Sequence, residues 1–142
     1  MGNEEKIEIL EVASYTGFLD DIRNFVINIA QHFQFKEEDI DDIEFAVDEA
    51  VANIIEHAYE GKPGNITIKV VCNDEKFSIE IFDNGKQFDP TKSKIPDLDE
   101  HHKEKKTGGL GIYIMTKLMD KINYQFIEGK GNYLSMEKYK KN

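Results

Sequence analysis

The chain has 142 residues, 39% of them hydrophobic, which suits one globular domain over residues 1–142, and its formal charge is −10 (Lys and Arg 18, Asp and Glu 28). That balance excludes nucleic acid or an anionic membrane as the main partner, since both reward clustered positive charge. An anionic ligand would need local help from a cation, backbone amides or a few lysines. The single Cys72 excludes an internal disulfide and a cysteine-based zinc site. Met1 leads into charged residues with no apolar signal core, and no apolar run reaches membrane-spanning length, so the sequence reads as soluble and cytoplasmic.

Lys6 to Ala13 alternates apolar and polar side chains and predicts a first strand. Ser14 or Thr16 offers a cap for a helix through Phe18, Ile22, Phe25, Val26, Ile29 and Phe33. Glu37, Glu38 and Asp39 stand where a second helix start favours negative charge. That helix is predicted to run to Tyr59, where Gly61-Lys62-Pro63-Gly64 breaks it. Ile66 to Val70 and Phe77 to Phe82 alternate on either side of Asn73-Asp74-Glu75 and predict a hairpin. From Gly85 to Thr107 the pattern lapses. A loop of that length between two glycine motifs predicts a mobile lid, about residues 86–107. Gly108 to Met119 resumes helical spacing through Leu110, Ile114 and Leu118. Lys121 to Ile127 and Tyr133 to Tyr139, joined by Gly129-Lys130-Gly131, predict the last two strands. This order predicts an α+β two-layer sandwich, a mostly antiparallel mixed sheet with its helices on one face.

Three short segments carry chemistry. In Asp48-Glu49-Ala50-Val51-Ala52-Asn53-Ile54-Ile55-Glu56-His57-Ala58-Tyr59, Glu49, Asn53 and His57 recur every fourth residue beside an apolar arc of Ile43, Val47, Ala50, Val51, Ile54 and Ala58. A carboxylate one turn from a carboxamide suits a proton acceptor beside a hydrated divalent cation. His57 has no second ligand at a metal-binding offset and reads as a packing or hydrogen-bonding residue near the pocket. Asp83-Asn84-Gly85 ends a strand, where a buried carboxylate could accept a hydrogen bond from an exocyclic amine and a glycine lets backbone approach a flat base. Gly108-Gly109-Leu110-Gly111 opens a helix, where successive N–H groups and the positive end of the dipole favour a phosphate. It is neither a P-loop nor a Rossmann fingerprint, since no Gly-Lys-Ser/Thr follows and no strand immediately precedes. Together the three point to an ATP site.

In this order the segments resemble the N box (about 41–59), G1 box (83–90) and G2 box (108–111) of the Bergerat-fold (GHKL) ATPases. Glu-Ala-X-X-Asn-X-X-X-His-Ala-Tyr and Gly-Gly-Leu-Gly-Ile-Tyr-Ile are similar to the small bacterial anti-sigma-factor serine/threonine kinases. The resemblance implies Glu49 as catalytic base, Asn53 as Mg²⁺ ligand, Asp83 as adenine acceptor and Gly85 as a wall of its pocket. It implies Gly109 and Gly111 at the phosphates and Gly108 at the lid hinge, and it adds Phe88, Lys106, Thr107 and Leu110 to the nucleotide-binding set. Such kinases use ATP and Mg²⁺, bind a sigma factor, phosphorylate an anti-anti-sigma (STAS-type) partner, and typically form homodimers. Direct nucleic-acid or membrane contact is not expected.

Two departures stand out. Gln87 replaces the second glycine that the wider superfamily often carries in its G1 box, although Asp-X-Gly-X-X-Phe-Asp-Pro is familiar in the anti-sigma-like branch. The lid holds Lys103, Lys105 and Lys106 where several family kinases use an arginine, and lysine lacks the planar bidentate contact. Two alternatives therefore accompany the kinase reading. One is a nucleotide-gated binding module without efficient transfer. The other is the stand-alone ATP-binding part of a histidine-kinase-type system, for which His32 lacks an acidic neighbour.

Overall fold

Period-two alternation builds the sheet. Ile66, Ile68, Val70 and Cys72 on one strand and Phe77, Ile79 and Ile81 on the next are all buried, while the residues between them reach the other face. The structure is a computed structural model that describes residues 4–92 and 108–141. In chain order it contains β1 (Glu5–Ala13), a 3₁₀ turn (Thr16–Phe18), α1 (Leu19–His32) and α2 (Glu37–Asn53), which a π-helical turn (Ile54–Ala58) prolongs. Then come β2 (Asn65–Asn73), β3 (Lys76–Asp83), a 3₁₀ turn (Pro90–Lys92), α3 (Gly108–Leu118), β4 (Lys121–Ile127) and β5 (Gly131–Tyr139).

The strands lie in the order β1-β2-β3-β5-β4. All four pairings are antiparallel. The mixed character in the sequence expectation is therefore absent among the described residues. The reason is local: α3 delivers the chain to the far edge, and the β4–β5 hairpin returns it beside β3 in the opposite sense. The three helices cover one face, where Ile22, Val26 and Ile29 of α1 and Ile43, Val47 and Val51 of α2 meet the inward strand residues. The other face is open, with Ile9 64% and Ile7 57% exposed on edge strand β1.

Several local expectations are revised. Neither start of the first helical segment has a side-chain cap bond. Ser14 instead donates to the Lys62 carbonyl at 3.2 Å, tying the end of β1 to the loop after α2. On α3 the buried residues are Ile112 and Met115, with Met119 just beyond, whereas Leu110, Ile114 and Leu118 are half-buried. The helix is apolar nearly all round, so spacing alone does not choose its inner face. Lys138 of β5, also buried, donates to Asp42 Oδ2 on α2 at 2.9 Å and to the Leu118 carbonyl at 2.6 Å. It thereby satisfies a carbonyl at the end of α3 that the helix itself leaves open.

Candidate nucleotide site

The motif helix is held in place on its outer side by the chain's one arginine. Arg23 of α1 meets Asp48 Oδ2 through Nη2 at 3.0 Å and through Nε at 3.2 Å, Glu44 at 3.2 Å and Asp20 at 2.6 Å. The Asp48 hydrogen bond, foremost, raises the guanidinium pKa further above its ordinary range. Glu49, the next residue, is thus carried on a helix whose position relative to α1 is fixed.

Asn53 sits one turn below Glu49 and is buried. Its Nδ2 donates to the Glu49 carbonyl at 2.7 Å and to Glu49 Oε1 at 3.1 Å. Both partners can only accept, so the amide must present its nitrogen to them. Oδ1 is left as the outward end, a hard neutral donor of the type Mg²⁺ tolerates. Among the described residues no group of three His, Cys, Asp or Glu side chains could hold a metal. A magnesium ion here would therefore complete its shell with phosphate oxygens and water around Asn53.

After Asn53 the helix widens. Tyr59 N–H reaches back five residues to the Ile54 carbonyl at 2.9 Å, the signature of a π turn, and such turns occur frequently at functional sites. The fourfold recurrence predicted for Glu49, Asn53 and His57 breaks at its last member. His57 instead stacks on Phe88, with ring centroids 4.7 Å apart and planes 15° from parallel. The Ala58 carbonyl accepts the Lys86 N–H at 2.8 Å. The Tyr59 hydroxyl accepts the Asn84 N–H at 2.8 Å and donates to the Asn65 carbonyl. The end of the motif helix is thus bolted to the loop that follows β3.

Asp83 continues the inward series Phe77, Ile79, Ile81 and so places a carboxylate in an apolar layer, 4% exposed. Its Oδ1 accepts from Gly85 N–H at 2.9 Å and from Asn132 Nδ2 at 2.8 Å. Both of these bonds fall on Oδ1. Burial pushes the Asp83 carboxyl above the ordinary aspartate range, and the two donors oppose that rise. Gly85 lies so close to the π turn that a Cβ there would stand 2.6 Å from the Ala58 carbonyl oxygen.

Ala50, Asn53, Ile54, Asp83, Phe88, Pro90, Tyr124, Asn132 and Leu134 enclose one small cavity of about 20 Å³, room for a single water. Across Phe88, an open groove of about 550 Å³ is lined by residues that include His57, Lys86 and Gln87. A purine is far larger than this inner cavity as it stands.

At the start of α3 a Cβ on Gly111 would stand 2.3 Å from Glu49 Oε1, so the absent side chain is what admits that carboxylate. Gly108 and Gly109 lie in the first turn of α3, where helical N–H groups have no partner within the helix. Leu110 is half-buried in that turn and does not line the cavity. Lys106 and Thr107, with Lys103, Lys105 and most of the expected lid, fall outside the described residues. The structure therefore brings Asn53, Asp83 and Phe88 to one cavity and Glu49 to Gly111 at its edge. Asn132 and Tyr124 were missed by sequence reasoning. The signal for Asn132 was present: the alternation Leu134, Met136, Lys138 extends back to it.

Comparison with known proteins identifies the family of the chain. The family model described as the histidine kinase-like ATPase domain matches residues 14–138. An anti-sigma F factor of Caldanaerobacter subterraneus is 39% identical over 102 residues, covering 72% of this chain and 71% of that protein. A serine-protein kinase RsbW of Bacillus cereus is 34% identical, covering 95% of this chain and 85% of that protein. A crystal structure of the RsbU and RsbW domains of a Mycobacterium tuberculosis protein superposes with a TM-score of 0.65 at 15% identity. That match covers 95% of this chain and 33% of the larger one, and it bears on the fold alone. The chain belongs to the histidine kinase-like ATPase family.

Proposed function

We propose that this chain is an ATP-dependent serine/threonine protein kinase and anti-sigma factor, which phosphorylates an anti-anti-sigma (STAS-type) partner and holds a sigma factor when that partner is absent. The observation that carries this reading is convergence. Glu49 touches the start of α3 at Gly111, and its neighbour Asn53 shares a cavity with Asp83 and Phe88. The names of the relatives, an anti-sigma F factor and a serine-protein kinase, support both halves of it.

Each residue has a definite task in such a reaction. Mg·ATP, when bound, supplies the phosphoryl group and the positive charge that screens it. Asp83 Oδ2 accepts from the exocyclic amine of the base, and Gly85 leaves room beside it. Asn53 Oδ1 would hold the metal, while the same amide steadies Glu49 from its nitrogen side. Glu49 would take the proton from the attacking serine or threonine hydroxyl as its oxygen bonds to the γ-phosphorus and the bond to the β–γ bridging oxygen breaks, releasing ADP. The first N–H groups of α3, at Gly108, Gly109, Leu110 and Gly111, would hold the phosphates, while Lys106 and Thr107, expected in the same set, lie outside the described residues. Ile7 and Ile9, exposed on an edge strand, offer apolar surface for a homodimer.

One observation favours a second reading, a nucleotide-gated binding module. Arg23, the only arginine, is engaged by three carboxylates on α1 and α2, which leaves none for the γ-phosphate. The histidine-kinase alternative is not favoured by the relatives, which are named anti-sigma F factor and serine-protein kinase. No described helix is long and apolar enough to cross a membrane.

Affinity capture from native cytoplasm separates the two remaining readings. With Mg·ATP a small partner is expected to gain one phosphate by intact-mass analysis, and a sigma factor is expected to stay on the nucleotide-bound protein. Nucleotide-dependent capture with no phosphate gained would replace the kinase by the binding module.

A further inference from the structure

We propose that Asn132 is the positioning residue that makes this site choose a 6-amino purine over a 6-oxo purine. The inference rests on Asp83 being the base acceptor and deepens that reading. Asn132 is 5% exposed and lies opposite Asp83 in the β3–β5 register. Its Nδ2 donates to Asp83 Oδ1 at 2.8 Å and to the Lys86 carbonyl at 2.8 Å. Its Oδ1 accepts from the Phe88 N–H at 3.0 Å and from the Tyr124 hydroxyl. A carboxamide has two donors and two acceptor positions, and all four are in use. The orientation is fixed by its neighbours, since Lys86 offers a carbonyl and Phe88 an N–H.

This arrangement acts on the chemistry of Asp83. Burial alone favours the protonated carboxyl, which could donate as well as accept. Two hydrogen bonds onto Oδ1, from Asn132 and Gly85, favour the ionised form, which can only accept. An acceptor matches the amine of adenine and repels the carbonyl of hypoxanthine or guanine. Through Lys86 and Phe88 the same amide also holds the loop that walls the cavity, so the carboxylate keeps one orientation. Without Asn132, Asp83 gains a proton or rotates, and either change admits a 6-oxo base.

The test compares ATP with inosine triphosphate, which differ in the group that Asp83 would meet. Wild-type protein is expected to bind ATP at least about 100-fold more tightly, because a site built for a donor rejects its absence strongly. Asn132→Ala should lower ATP affinity about 10-fold or more, leave inosine triphosphate nearly unchanged, and so shrink the preference about 10-fold. Asn132→Asp is the second variant. It can still accept from Phe88 and Tyr124 but sets a second carboxylate against Asp83, so the preference should collapse even if the alanine variant folds poorly. Equal losses for both nucleotides in folded variants would make Asn132 merely structural and overturn the proposal. A wild-type protein that binds both nucleotides equally would instead remove Asp83 from the role of base acceptor, and one that binds neither would remove the nucleotide site.

Discussion

Glu49→Gln is expected to slow phosphoryl transfer about 10²–10⁴-fold, the usual contribution of a positioned general base, while nucleotide affinity changes less than about threefold. The substitution removes basicity and little else. Glutamine has the same length, still offers an oxygen to Asn53 Nδ2, and fits the space that Gly111 leaves beside it. The backbone carbonyl of residue 49, which takes the shorter bond from Asn53 at 2.7 Å, is untouched. Single-turnover transfer to the captured partner, measured beside an equilibrium titration with ATP, separates chemistry from binding. Transfer at the wild-type rate would take the base role from Glu49. Loss of ATP affinity in proportion to rate would make Glu49 a binding residue.

Gly85→Ala should damage both stability and binding. The added methyl would meet the Ala58 carbonyl oxygen at 2.6 Å and its carbon at 2.7 Å, backbone atoms of the π turn that no rotamer change can clear. Either the loop or the turn must move, at a cost of about 1–3 kcal/mol by the usual measure of overpacking. Movement also breaks the Lys86 bond to Ala58 and the Gly85 bond to Asp83. The second loss, a hydrogen bond to a charged group, costs about 1.5–3 kcal/mol of stability and releases the Asp83 carboxylate from its orientation, so ATP affinity should fall as well. Gly17→Ala is the control, since nothing lies within 4 Å of the Cβ it would add. Urea midpoints and ATP titrations of the two variants should differ clearly. Indistinguishable behaviour would mean that the contact between Gly85 and the π turn does not hold the pocket.

Much of this arrangement was legible in the residues, and the exceptions have physical causes. Alternation located the strands because a half-buried sheet demands period two, and the acidic start and glycine-rich stop bracketed α2 and its continuation. The position of Asp83 was legible because it ends the inward apolar series Phe77, Ile79 and Ile81. The π turn was not, since Ile54-Ile55-Glu56-His57-Ala58 has ordinary helical composition and its contacts with Lys86 and Gly85 come from distant parts of the chain. The inner face of α3 escaped because Leu110 to Leu118 is apolar on several sides. Asn132 escaped because it follows Gly129-Lys130-Gly131, where an asparagine reads as turn chemistry. Its importance comes from its partner across the sheet, and a single sequence does not reveal strand register. The proposed roles rest on the order and chemistry of three segments, and the fold brings those segments together, Lys86 bonding to Ala58 and Gly111 lying against Glu49.

In the proposed reading these three segments form one Mg·ATP site. Titration calorimetry of the wild-type chain with ATP, with and without Mg²⁺, tests it most directly. One nucleotide should bind per chain, more tightly with the metal, and Asn53→Ala should abolish the gain from Mg²⁺ while Asp83→Asn weakens binding under both conditions. No heat of binding, or binding that ignores both substitutions, would contradict the site.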